Sequence, residues 1–126
     1  MPGKGELFKN TKEELLRNKV KEKNISLIRV YGSLEVPFAC QKIIKKDKPD
    51  AIITLGAIIK GETSHYDMVC ENTYKGIMDI QLKYNVPIIF GILTCENFKQ
   101  AIKRSDKKGL NKGKSFAIAA LLQTTI

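Results

Sequence analysis

The sequence predicts an α/β sandwich, with helices covering both faces of a parallel sheet. Two observations carry that expectation. The runs Ala51-Ile52-Ile53-Thr54-Leu55 and Pro87 to Leu93 are short and almost continuously apolar, the mark of strands buried on both faces. Between and around them lie longer stretches of helical period, and such strand–helix alternation favours a parallel sheet.

Taken in order, Thr11-Lys12-Glu13-Glu14 has the form of a capping box and precedes Leu15, Leu16 and Val20, which share one helical face. Ile25 to Tyr31 is rich in β-branched and aliphatic residues and reads as a strand. Pro37 suits the first turn of a helix running to about Lys46. After the strand at Ala51–Leu55, a glycine-bearing loop leads to a long helix from about Ser64 to Asn85. Val69, Cys70, Thr73, Ile77 and Ile80 recur along it at helical spacing. Thr94 is the expected N-cap of a helix through Arg104. A charged loop follows from Asp106 to Gly113, then a last helix from about Lys114 to Thr124. That helix contains Phe116-Ala117-Ile118-Ala119-Ala120-Leu121-Leu122, apolar all round. Such a helix needs cover on two sides, which a second subunit supplies most simply.

At 126 residues the chain suits a single domain, residues 1–126, with no room for a second core. No apolar run approaches the ~20 residues of a membrane span, and no secretory signal follows Met1, so a cytoplasmic protein is expected. The cysteines, Cys40, Cys70 and Cys95, form no C-x-x-C pair and the one histidine is His65. No metal site is expected from that set. The net charge of +9 raises nucleic acid as a partner. Yet the lysines are spread along the chain, and the densest groups, Lys19–Lys23 and Lys42–Lys48, read as solvated helix faces. Nucleic acid is therefore disfavoured, as is a membrane partner.

Ligands of parallel α/β sheets bind beyond the carboxyl ends of the strands, which selects Gly32 to Glu35, Gly56 to His65, and Thr94 onward. The richest of these is Gly56-Ala57-Ile58-Ile59-Lys60-Gly61-Glu62-Thr63-Ser64-His65-Tyr66-Asp67. Its glycines permit tight turns, a helix start offers N–H groups to phosphate, and His65 has a side chain suited to proton transfer near neutrality. The plainer role for His65 is a helix cap. Glu62 follows Gly61 where a P-loop needs Lys-Ser or Lys-Thr, and no three-glycine dinucleotide fingerprint is present.

That segment resembles the motif of the lumazine synthase family, which runs from a strand end to a catalytic histidine. Val30-Tyr31-Gly32-Ser33-Leu34-Glu35-Val36-Pro37, Pro87-Ile88-Ile89-Phe90-Gly91-Ile92-Leu93-Thr94, and Gln100 to Arg104 with Asn111-Lys112-Gly113 resemble further family segments in the same order. The resemblance runs from about Glu14 to the end, leaving residues 1–13 as a divergent segment. It implies a flavodoxin-like topology, a three-layer αβα sandwich. It also implies riboflavin biosynthesis by a transferase using two small-molecule substrates and no cofactor. The substrates are a ribitylamino-uracil and a dihydroxybutanone phosphate.

By that resemblance, His65 is the catalytic proton-transfer residue. Arg104, Glu62 and Thr63 hold the phosphate, although Glu62 stands where the family usually has a small residue. Ser33, Leu34 and Glu35 hold the ribityl-uracil, with Leu34 replacing a frequent aromatic. Ala57, Ile58 and Ile59 contribute backbone contacts to the pyrimidine, Phe90 closes the site from the next subunit, and Lys112 lies near it. The family assembles as pentamers, and in some members as shells of about sixty subunits; the short loop from Ser105 to Lys112 leans towards shells.

The family also carries a strand before its first helix, whose phenylalanine stacks on the pyrimidine. Aligned without gaps, Leu15-Leu16-Arg17 falls at the end of that helix. The first strand and half of the helix would then lie before Met1, and organellar targeting stays open. Phe8 takes no stacking role in that alignment. The alternative function is a non-catalytic, shell-forming or ligand-binding relative with an incomplete site.

Overall fold

A computed structural model describes residues 4–61 and 65–126. Its elements, in order, are α1 (Lys4–Arg17), α2 (Val36–Asp47), β1 (Ile52–Ile59), α3 (Tyr66–Tyr84), β2 (Ile88–Cys95), α4 (Phe98–Ser105) and α5 (Lys112–Gln123). Short 3-10 turns occupy Glu22–Asn24 and Ser33–Glu35. The strands pair in parallel, with Ile52 opposite Ile88 and Ile59 opposite Cys95. The expected α/β sandwich is present, built on a sheet of two strands among the described residues.

Side chains alternate across a strand, and two cores result. Ile58, Ile88 and Ile92 pack with Cys40 and Ile44 of α2 and Ile77 of α3. On the opposite face Ile59, Leu93 and Cys95 pack with Leu7 of α1 and Ala101 of α4. Each isoleucine or leucine fully buried this way contributes about 1.5–3 kcal/mol. Gly91 sits where the second face is tightest. A methyl there would lie 2.1 Å from the Thr54 carbonyl oxygen and 2.9 Å from the Phe116 ring.

The first helix departs most from expectation. It starts at Lys4 rather than Thr11 and is a full 14 residues long. The divergent segment thus holds Leu7, which is buried at the centre of the second core. Thr11 is no cap. Leu7, Asn10, Thr11 and Glu14 fall at helical spacing on one buried face. The Asn10 Nδ2 donates to the Ser105 carbonyl (2.9 Å) and the Thr11 hydroxyl to the Gly113 carbonyl (3.0 Å). A polar face can be buried when its groups find partners, whereas Leu16, expected inside, is exposed. Sequence pattern ranks residues by hydropathy and cannot see that α4 ends, and α5 begins, beside α1 with carbonyls to satisfy.

The strand expected at Ile25–Tyr31 does not form. Residues 25–30 have no assigned secondary structure, and among the described residues no neighbouring strand offers them a ladder. Thr94 also differs, since it belongs to β2. The cap of α4 is Asn97, whose side chain accepts from the Gln100 N–H at 2.9 Å. Elsewhere the reading of the sequence holds to within a few residues. Pro37 lies in the first turn of α2, and α3 and α5 fill the expected spans. Their ends are set by left-handed residues: Lys48 and Asn85 at the C-caps of α2 and α3, and Asn111 at the N-cap of α5. No helix among the described residues is long and apolar enough to cross a membrane.

Candidate functional site at the carboxyl ends of the strands

The two strands finish level. The Lys60 N–H donates to the Cys95 carbonyl at 2.8 Å, carrying the ladder one residue past β1. The chain then turns at Gly61, whose φ of +93° lies in the left-handed region that glycine enters without steric cost. Glu62, Thr63 and Ser64 lie outside the described residues. The chain re-enters at His65, the N-cap residue of α3, whose carbonyl accepts from the Val69 N–H at 2.9 Å.

The His65 side chain makes no capping hydrogen bond, and the residue is exposed. The plainer role proposed for it, capping α3, therefore has no support in the geometry. Its backbone ends the loop at the carboxyl ends of the strands.

Arg104 reaches the same edge from α4. Its Nη1 donates to the Thr94 carbonyl at 2.7 Å and to the Cys95 Sγ at 3.5 Å. Thr94 is the partner of Ile58 in the sheet, and Cys95 that of Ile59. The guanidinium is thus moored to the end of β2, beside the end of β1. Burial pushes the Cys95 thiol's pKa up, and the neighbouring Arg104 opposes that rise.

Tyr66, the first residue of α3, joins this edge to the first core. Burial raises its hydroxyl's pKa, Cys70 adds to the rise and Thr94 opposes it. Tyr74, one helical stretch further on, donates to the Ile92 carbonyl at 2.8 Å. Thr94 was legible only as a helix start. The sequence signal that would have freed it is Asn97 followed three residues later by Gln100, a capping-box spacing. The Gln100 Oε1 reaches one residue beyond the cap and accepts from the Glu96 N–H at 2.8 Å.

Ser33, Leu34 and Glu35 form a single 3-10 turn packed on α3 and β1. Leu34 and Glu35 are exposed and Ser33 is half-buried. The Glu35 carboxylate folds back over Gly32, so that a side chain there would begin 3.1 Å from its Oε1. In β1, Ile58 turns its backbone toward β2 and buries its side chain. Ala57 and Ile59 turn their backbone groups to the other side. Of the three residues expected to offer backbone contacts, these two have them to offer.

Phe90 and Lys112 are placed apart from this edge. Phe90 lies midway along β2, half-buried, with its ring centroid 5.7 Å from that of Tyr74. Lys112 opens α5, next to the Gly113 carbonyl that receives Thr11. A cleft between α1 and the α4–α5 loop, lined by Asn10, Glu13, Glu14, Arg17, Lys107, Asn111 and Lys114, is about 60 Å³. That is room for one or two waters, and Glu13 and Lys107 there already pair at 2.8 Å.

A family model for 6,7-dimethyl-8-ribityllumazine synthase matches residues 4–125. The chain belongs to that family. Membership places it in riboflavin biosynthesis, in a family of transferases, and the parallel sheet flanked by helices is consistent with the family's flavodoxin-like fold. The match begins at Lys4, so the helix that looked divergent in sequence lies within it.

Proposed function

We propose that the chain condenses 5-amino-6-(D-ribitylamino)uracil with 3,4-dihydroxy-2-butanone 4-phosphate. The products are 6,7-dimethyl-8-ribityllumazine, inorganic phosphate and water. The observation that carries this reading is the mooring of Arg104 at the strand ends, on the edge from which the chain leaves for His65.

Each residue's part follows from its chemistry. Arg104 receives the phosphate. Its Nη1 is committed to Thr94, and a guanidinium has five N–H donors in a fixed fork. Holding one corner of the fork leaves the others aimed with little rotational freedom to lose on binding. Thr63 and the backbone at Glu62 complete the phosphate loop. His65 moves protons, first as the uracil's amine adds to the ketone and loses water, then as phosphate departs. Glu35 accepts hydrogen bonds from ribityl hydroxyls, with Ser33 and Leu34 beside it. Ala57 and Ile59 present backbone groups to the pyrimidine, and Ile58 supports them from the core.

Phe90 and Lys112 act in the site of a neighbouring subunit in this reading, which fits their distance from the strand ends of their own chain. The outward residues of α5 support assembly. Ile118 and Leu122 are exposed on a helix whose other side packs on α1, and an apolar surface of that kind is usually covered. A pentamer is the proposed unit, and a closed shell of pentamers its extension. No organic cofactor or metal takes part.

The test is a steady-state assay with both substrates, following lumazine absorbance and phosphate release. Release of both products together supports the reading. A folded oligomer that binds either substrate without turnover would instead make the chain a non-catalytic relative.

A further inference from the structure

Arg104 is held by two groups rather than one. The Nη1 that donates to the Thr94 carbonyl at 2.7 Å also lies 3.5 Å from the Cys95 Sγ. An Nη nitrogen carries two hydrogens, and here two acceptors face it. They come from consecutive residues at the end of β2. The Cys95 carbonyl turns to β1, where it accepts from the Lys60 N–H at 2.8 Å. Backbone groups alternate along a strand, so the Thr94 carbonyl turns to the outer edge of β2. The Cys95 side chain reaches the same nitrogen from the second core.

Two contacts fix more than one does. A guanidinium pinned only through Thr94 keeps a rotation about that hydrogen bond. A second acceptor on the same nitrogen sets its plane. The other corners of the planar fork, Nη2 and Nε, then point in one direction.

The thiol has little freedom of its own. Cys95 is 1 % exposed and packs with Leu7, Ile59, Leu93 and Ala101. Ala101 stands three residues before Arg104 on α4, and residues so spaced share a helix face. The contact that seats α4 on the sheet therefore also carries the arginine to the sulfur.

Sulfur suits this place. A thiol sits comfortably among apolar side chains and still offers a weak acceptor. Burial raises its pKa, and the neighbouring Arg104 lowers it without cancelling the rise. The group is thus neutral near pH 7. A carboxylate or a thiolate would neutralise the guanidinium beside it, whereas a neutral thiol leaves that charge whole for an anion.

We propose that Cys95 is a positioning residue for phosphate: its thiol sets the plane of the Arg104 guanidinium and so the affinity for the phosphate group. The inference rests on the reading of Arg104 as the phosphate receiver.

The experiment is a calorimetric titration of inorganic phosphate into the full chain, for wild type, Cys95→Ala, Cys95→Ser and Arg104→Lys. Alanine and serine leave nearly the same space behind, but serine alone keeps a side-chain acceptor. Cys95→Ala should weaken phosphate binding by about threefold to tenfold, the net worth of one hydrogen bond. Cys95→Ser should bind within about twofold of wild type, because that bond is kept. Arg104→Lys should bind roughly tenfold or more weakly. A packing role would move the alanine and serine variants alike. Equal losses in those two would therefore overturn the proposal alone. So would unchanged binding by Cys95→Ala beside weakened binding by Arg104→Lys. Unchanged binding by Arg104→Lys, or none by wild type, would overturn the reading of Arg104 and the proposal with it.

Discussion

The guanidinium of Arg104 is held 2.7 Å from the Thr94 carbonyl, so α4 delivers its last cation to the end of β2 rather than to solvent. That relationship makes the contribution of Arg104 specific to its shape. Lysine carries the charge but has neither the fork nor a way to donate to Thr94 and to a phosphate in one plane. Arg104→Lys should raise KM for the dihydroxybutanone phosphate by roughly tenfold to a hundredfold, the equivalent of about 1.5–3 kcal/mol for one charge-assisted hydrogen bond. KM for the ribitylamino-uracil should change by less than about threefold. Equal losses for the two substrates in a two-substrate kinetic matrix would assign Arg104 to the fold rather than to phosphate.

His65 predicts a different kinetic split. A general acid–base group contributes about 10²–10⁴ in rate, and here the side chain caps nothing. His65→Ala should lower kcat within that range while leaving the oligomer mass unchanged. Exogenous imidazole should restore part of the rate. A variant that falls apart as an oligomer would show that His65 is structural.

How far the site was legible in sequence depended on the kind of signal. Strands buried on both faces announce themselves: the run Pro87 to Leu93 falls on Ile88–Cys95, while the strand expected at Ala51–Leu55 runs on to Ile59 through residues read as loop. The glycine turn, the histidine and the arginine lie in matched motifs, and the fold brings their parent loops to one edge. What failed depended on tertiary partners. Thr11 looks like a cap until α5 is seen to place the Gly113 carbonyl beside it. Ile25–Tyr31 has the composition of a strand, yet a ladder is a property of two segments and none of the described residues pairs with it. Leu7 is one leucine in a charged stretch, and only its burial against Leu93 and Ala101 identifies it as core.

Gly91 predicts a large packing cost from one carbon. A Cβ would sit 2.1 Å from the Thr54 carbonyl oxygen, with Phe116 and Leu55 also inside normal contact. The Thr54 oxygen belongs to the ladder, and the Thr54 hydroxyl also ties the pair, accepting from the Gly91 N–H at 3.1 Å. Neither can move without parting the sheet. Gly91→Ala should cost at least about 2 kcal/mol, the upper half of the usual range for overpacking or beyond it. It should lower the denaturant midpoint without changing the slope. A midpoint within error of wild type would mean that the strands separate freely at this point.

Cys40 predicts the behaviour in alkali. Burial in the first core pushes its thiol up from 9.0 to about 11. The folded state therefore holds this proton more tightly than the unfolded chain does. Its contribution to stability is complete below pH 9 and is lost as pH climbs through about 11. Tyr66, Cys70, Tyr74 and Cys95 are raised in the same direction, burial being the largest cause for each. The thermal midpoint should thus fall steadily above pH 9. Cys40→Ala should start from a lower plateau, because a buried side chain has been cut back. Its decline between pH 9 and 11 should be shallower, because one of the titrating groups is gone. Parallel declines in the two proteins, followed by circular dichroism across that window, would show that deprotonation of Cys40 is not coupled to unfolding.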